Sequence, residues 1–209
     1  MPERTILVLN GTTRGTSKKA AEKFADQCSE RLSHEAIHEM TGVADIQVKC
    51  KITGEGEKES PTMTMDEFLK NPEWEPLVVI FVSSFGSGDG PRTGRKFRKK
   101  CDAWTLAHIG NADRPQPLAG ISFALCGLGE STYDTYMKNP IVVGETLSLL
   151  GADMVGERGS ADSAEGIARQ EIEIETWMEE IWPKLAELVA QEPKITPEQL
   201  QAAREFVLS

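Results

Sequence analysis

Three short apolar runs stand out along the chain: TILVLN at 5–10, LVVIFVSS at 77–84 and GISFALCG at 120–127. None alternates strictly with polar residues, as suits strands buried on both faces. Two weaker runs, IQVKCKI and ADMVGE, bring the number of expected strands to five. Between the runs, apolar residues recur at three- and four-residue spacing over 16–33, 64–70, 92–106, 139–150 and 167–190, which predicts helices. Strands alternating with helices of this length predict an α/β fold: a doubly wound five-stranded parallel sheet with helices on both faces. The polar segments TGEGEKESPT (53–62) and HIGNADRPQPLA (108–119) are read as surface loops. A helical pattern restarts at TPEQLQAAREFVL, where Thr196 can cap, Pro197 takes the first helical position and Gln199 completes a capping box. The expected division is a domain over 1–190 and a terminal helix, or the start of a linker, over 191–209.

Composition narrows the picture. A chain of 209 residues, 39% of them hydrophobic, can bury one sizeable core. Its 33 acidic and 23 basic residues give a formal charge of -10. That charge argues against a nucleic-acid-binding surface and favours docking onto a basic partner, though solubility alone explains it equally well. The four cysteines, Cys28, Cys50, Cys101 and Cys126, lie far apart with no C-x-x-C pair and read as reduced, packed thiols. The first residues enter a strand without the longer apolar stretch of a signal peptide, and no run approaches a membrane span. A cytoplasmic location is the expectation.

In an open parallel sheet, ligands bind beyond the carboxyl ends of the strands. Three strand ends here carry unusual sequences. In NGTTRGTSKKAAEKFA, Thr12, Thr13, Thr16 and Ser17 supply hydroxyls, Gly11 and Gly15 permit tight turns, and the new helix offers free N–H groups and its positive dipole end. This reads as a phosphate nest, although neither the P-loop nor the dinucleotide glycine spacing is present. A turn that merely caps a helix explains this loop equally well. In SSFGSGDG, Ser83 and Ser84 end a buried strand, Phe85 follows, and Gly86, Gly88 and Gly90 permit close backbone approach to a planar ligand. In CGLGESTYDTYMKN, the chain's only tyrosines, Tyr133 and Tyr136, stand just beyond Gly127 and Gly129. A mobile surface loop accounts for either segment alone. What points to one site is that all three occur at strand ends that should adjoin.

Those motifs, in that order from about residue 5 to WMEEIWPKL near 185, resemble the flavodoxin-like FMN-binding domain of the diflavin reductases, such as NADPH–haemoprotein reductase and the reductase part of nitric-oxide synthase. The resemblance implies strand order 2-1-3-4-5 and FMN bound without covalent attachment. It implies that Thr12, Thr13, Arg14, Gly15, Thr16 and Ser17 bind the phosphate. Ser83, Ser84, Phe85 and Gly86 would line the isoalloxazine, with Phe85 stacking on one face and the Gly86 peptide able to present different groups to the ring. Leu128, Gly129, Glu130, Ser131, Thr132, Tyr133, Tyr136 and Met137 would wrap the other side, with Tyr133 as the second stacking ring. Asp162 would help to hold the ribityl side. Arg14 stands where the family usually has a threonine, and Glu130 where it usually has a neutral polar residue; a carboxylate there disfavours negative charge on a reduced flavin.

The implied activity is that of a flavin-dependent oxidoreductase with no catalytic side chain and no metal. Electrons from NADPH would arrive through an FAD module in cis or in trans and leave singly to a haem protein or other redox acceptor. This chain would be the FMN half, without an NADPH site of its own, contacting no nucleic acid and spanning no membrane. Two alternatives compete: a flavodoxin domain feeding an iron–sulfur radical enzyme of wybutosine type, and a flavin-free docking module.

Three other features take plainer readings. HEAIH at 34–38 fits the zincin pattern but falls where the first helix should end, and reads as a polar helix terminus. The basic cluster Arg95, Lys96, Arg98, Lys99 and Lys100 reads as a solvated helix face. Trp177 and Trp182, with Ile172, Ile181 and Leu185, read as a core-facing stripe.

Overall fold

The computed structural model describes residues 2–54, 59–111 and 113–209. The central part of the expected 53–62 loop, at 55–58, lies outside the described residues, as does residue 112 of the 108–119 loop. In chain order the elements are β1 (Glu3–Gly11), α1 (Thr16–Arg31), α2 (His34–Thr41), β2 (Gln47–Cys50), β3 (Met63–Thr64), α3 (Met65–Phe68), β4 (Leu77–Ser83), α4 (Arg95–His108), β5 (Ser122–Gly129), α5 (Lys138–Leu149), β6 (Asp153–Met154), β7 (Gly159–Asp162), α6 (Ile167–Val189) and α7 (Pro197–Leu208).

The sheet is parallel, in the order β2-β1-β4-β5-β6. Both edges are split. β2 pairs with the start of β1 at Glu3–Ile6, and the short β3 pairs with its end at Leu9–Asn10. On the far side β6 pairs with the start of β5 at Ser122 and Phe123, whereas β7 pairs with its end, Cys126–Gly129. Seven strands therefore occupy five positions, and the expected 2-1-3-4-5 order is recovered with its edge strands interrupted.

The central strands are buried because they are apolar on both faces, which generates two cores. One packs Ile6, Val8, Val79, Phe81 and Ala124 against α1 and α6. There Trp182 stacks on Phe24 at 4.3 Å between centroids, and Trp177 meets Phe81 edge-on at 5.6 Å. The other packs Leu7, Leu9, Val78, Ile80 and Val82 against α3, α4 and α5. α7 extends this second core: Ala203 and Val207 are buried, and Phe206 stacks on Trp104. The Thr196 and Gln199 capping box forms as expected. All four cysteines are free and buried, and burial lifts the Cys101 thiol to about 12.

Two local readings change. HEAIH is not the end of the first helix but opens a helix of its own, because Ser33 accepts from the Ala36 amide and caps it. Its two histidines join no metal-binding group among the described residues. Ile172 lies off the tryptophan stripe and is exposed, since the buried face of α6 follows Gln170, Ile174, Trp177 and Ile181. Among the described residues, no helix is long and apolar enough to cross a membrane.

Candidate functional site

At the end of β1, Gly11 leaves no room for a side chain, for a Cβ there would sit 2.9 Å from both Met65 Sδ and Val82 Cγ2. The loop that follows is tied to the turn before α4. The Thr12 amide donates to Thr93 Oγ1 at 2.9 Å, the Thr93 hydroxyl donates back to the Thr12 carbonyl at 3.1 Å, and the Arg92 amide donates to Thr13 Oγ1 at 3.0 Å. Gly15, at φ 98°, is the N-cap of α1 and offers no capping side chain, and the first turn of the helix carries no acidic residue. The first amides of α1 are therefore left to a ligand. Ser17 is 0% exposed and its hydroxyl has no hydrogen-bond partner. An orphaned buried hydroxyl costs about 1–3 kcal/mol unless something satisfies it.

The second strand end folds back on itself. Phe85 and Asp89 exchange backbone hydrogen bonds at 3.1 and 2.8 Å around Gly86 and Gly88, both at positive φ. Beyond β5, the chain turns through Glu130–Tyr136 into Met137, which takes a left-handed conformation (φ 56°) and caps α5. The two loops are stitched together: Thr135 Oγ1 donates to the Gly86 carbonyl at 3.0 Å, Asn139 Nδ2 to the Ser83 carbonyl at 2.8 Å, and the Asn139 amide to Ser84 Oγ at 3.1 Å. Phe85 and Tyr133 are nonetheless 42% and 61% exposed, large aromatic rings left in solvent at the mouth.

The three loops enclose one cleft of about 360 Å³, within the usual range for a small-molecule site. Thr12, Thr13, Arg14, Thr16 and Ser17 line one end; Ser83, Ser84, Phe85, Gly86, Leu128, Gly129, Glu130, Tyr133 and Tyr136 line the rest. Five expected residues are not on its wall. Gly15 shapes the helix start, and Met137 is buried beneath the loop. Thr132 Oγ1 donates to the Glu130 carboxylate at 2.9 Å. Asp162 accepts the amides of Ser131 and Ala164, each at 2.9 Å, so its carboxylate clamps the third loop to the end of β7. Burial pushes the Asp162 carboxyl up, but these bonds outweigh it and hold the group below its ordinary value. Burial, then Asp162 and Glu173, raise the Tyr136 phenol above its ordinary value.

Three wall residues escaped the sequence reading, Ser163, Ile167 and Gln170, while Thr135 lies within the 128–137 segment expected to wrap the ligand. Gln170 is 4% exposed, and its amide donates to the carbonyls of Gly129 at 3.2 Å and Ala161 at 3.0 Å, joining β5 to β7. The available signal was a polar residue on the apolar stripe of α6, four residues before Ile174 and seven before Trp177.

The Flavodoxin family model matches residues 49–177, more than half of the chain. The chain belongs to the flavodoxin family. Relatives include methionine synthase reductase from Bos taurus, 34% identical over 120 residues that cover 57% of this chain and 16% of that protein. NADPH–cytochrome P450 reductase from Drosophila melanogaster is 30% identical over 124 residues, 59% of this chain and 16% of that protein. Both are diflavin reductases, and the chain spans about a sixth of their length. Oxidised flavodoxin 1 from Bacillus cereus superposes with a TM-score of 0.50 at 15% identity, covering 85% of this chain and 96% of that one, which shows the shared fold.

FMN is the cofactor of a flavodoxin domain, and the cleft suits it on the structure's own terms. One end holds hydroxyls, free helix amides and the orphaned Ser17 Oγ, a donor set made for a phosphate dianion. The other end holds two exposed aromatic rings. Between them the backbone of Gly129 runs so close to Tyr136 that a Cβ would lie 3.0 Å from its ring.

Proposed function

We propose that the chain is the FMN-binding electron-transfer domain of an NADPH-dependent diflavin reductase. It takes electrons from an FAD/NADPH module, in cis or in trans, and relays them singly to a haem protein or other redox acceptor. The observation that carries this reading is the polarity of the cleft: a fixed set of anion donors at one end and exposed aromatic rings at the other.

In this reading Thr12, Thr13, Thr16, Ser17 and the first amides of α1 hold the phosphate, with Arg14 adding a cation. Phe85 and Tyr133 cover the two faces of the isoalloxazine, and Leu128 and Gly129 form the floor. When bound, FMN supplies the redox chemistry itself. The residues of this chain bind, orient and tune. Glu130 makes negative charge in the cleft more costly. The Gly86 carbonyl is held by Thr135, and a glycine at that position lets the peptide rotate and offer either its C=O or its N–H to the cleft. Asp162 serves the ribityl side indirectly, by fixing the loop through Ser131.

The test mixes the FMN-loaded chain with NADPH in a stopped-flow instrument. NADPH alone leaves the flavin band unchanged, whereas adding an FAD-containing NADPH reductase bleaches it and allows cytochrome c to be reduced. Direct bleaching by NADPH, or a flavin that no reductase can reduce, would overturn the proposal.

A further inference from the structure

The basic run at the start of α4 is not used by the cleft. Arg92, in the turn before the helix, and Arg95, Lys96 and Lys99 on its first turns are all exposed, and none has an ion-pair partner among the described residues. Their neighbours are engaged: Arg98 bonds Asp102 and the Gly88 carbonyl, and Lys100 lies over Trp104. Two nearby acids are engaged as well, while Asp89, next to Gly90, is exposed and pairs with none of these cations. Asp66 Oδ1 accepts the amides of Lys96 and Phe97, and Glu67 closes a capping box on Thr64.

Stability does not account for this placement. The positive end of the helix dipole disfavours cations in the first turn, and the carboxylate bonded there, Asp66 of α3, is taken up by the Lys96 and Phe97 amides and not paired with a cation. Position suggests a use. The Arg92 amide is bonded to Thr13 Oγ1, and the Arg98 guanidinium to the Gly88 carbonyl, so the cationic face borders both the phosphate loop and the Phe85 loop.

We propose that Arg92, Arg95, Lys96 and Lys99 form a docking surface for a carboxylate-rich patch on a redox protein partner, seating it at the rim of the cleft. The proposal rests on the electron-transfer reading above. A compact protein patch is favoured over a polyanion by scale. From Arg92 to Lys99 the face spans roughly 10 Å, about one Debye length at physiological salt. A nucleic acid or an anionic bilayer extends well beyond that distance and meets a chain whose net charge is -10. The exposed apolar residue of α4, Leu106, lies at the opposite end of the helix from these cations.

The test uses soluble cytochrome b5, an acidic haem protein, as probe, with basic cytochrome c as contrast. Flavin absorbance of each sample is read first; the FMN-loaded chain is then reduced photochemically and electron transfer followed in stopped flow at low and high salt. Transfer to cytochrome b5 is expected to speed up as salt falls. The triple variant Arg95→Glu, Lys96→Glu, Lys99→Glu is expected to slow it by about tenfold or more at low salt, to leave or improve transfer to cytochrome c, and to melt no lower than the native chain. A native rate that falls as salt is lowered, or a variant as fast as the native chain, would overturn the proposal. A missing flavin band, or no transfer to either haem protein, overturns the electron-transfer reading instead. Docking is then decided on the flavin-free chain by amide shifts on titration with cytochrome b5. Shifts centred on 92–99 support it, whereas their absence, or tighter binding of phosphatidylserine vesicles or a DNA duplex through the same residues, counts against it.

Discussion

The two ends of the cleft are built on opposite principles. At the phosphate end the loop is short and cross-linked, with Thr12 and Thr93 exchanging hydrogen bonds and Ser17 wholly buried. At the aromatic end two longer loops hold each other through Thr135 and Asn139, with Asp162 clamping the second of them to β7, while their rings stand in solvent. The first arrangement prepays the ordering that anion binding demands, and the proposed function puts the affinity there. The second keeps the ring edge accessible and its surroundings adjustable, which suits a site that must tune a potential and meet a partner.

Substitutions should separate these roles. The largest effect is expected at Ser17. Its hydroxyl has no partner in the protein, so Ser17→Ala should leave flavin-free stability unchanged or slightly raised, while losing a bond to a charged phosphate worth about 1.5–3 kcal/mol. FMN affinity then falls roughly ten- to a hundredfold, and equal affinities for the two proteins would break the comparison. Next come the rings. Phe85→Ala and Tyr133→Ala should each weaken FMN about tenfold, in keeping with one aromatic stack, and shift the flavin potential, which Ser17→Ala should leave nearly unmoved. Spectroelectrochemical titration of the three variants checks that division.

A smaller effect is expected from Asp162→Asn, roughly three- to fivefold in FMN affinity, because the lost bonds hold a loop and not the ligand. Here pH gives an independent handle. The folded carboxyl lies below its ordinary value of 3.8, so its contribution is fully present above the unfolded pKa and is lost as pH falls through the lower, folded one. The Ser131 and Ala164 amide resonances should titrate together with a midpoint below 3.8, and the stability gap to Asp162→Asn should be flat from neutrality down to about pH 5 and close only in stronger acid. The smallest effect concerns Glu130→Gln, expected to raise the flavin potential by a few tens of millivolts, the one-electron equivalent of about 0.5–1 kcal/mol. A potential that does not move would show that this carboxylate, held by Thr132, is screened from the ring.

Much of this was legible because the three central strands are apolar on both faces and each ends in a sequence no ordinary turn requires. What stayed hidden depended on partners distant in sequence. The edge positions are completed by fragments as short as Met63–Thr64 and Gly159–Asp162, too brief for any periodicity to register. The Leu32–Ser33 break that separates α2 from α1 is made by a single serine cap. Gln170 looked like one polar residue on a helix, and only the fold brings it to the carbonyls of Gly129 and Ala161. The Asp162 carboxylate accepts two backbone amides, which only the pairing of β7 with the end of β5 brings within reach.

The central claim is that the flavin is anchored by its phosphate at the start of α1. The ratio of FMN to riboflavin affinity, measured by quenching of flavin fluorescence on titration with the purified chain, tests it most directly. Several charge-assisted bonds to one phosphate predict FMN binding at least about a hundredfold tighter than riboflavin, with the difference narrowed, and not abolished, by Ser17→Ala. Equal affinities for the two flavins, or no quenching by either, would contradict it.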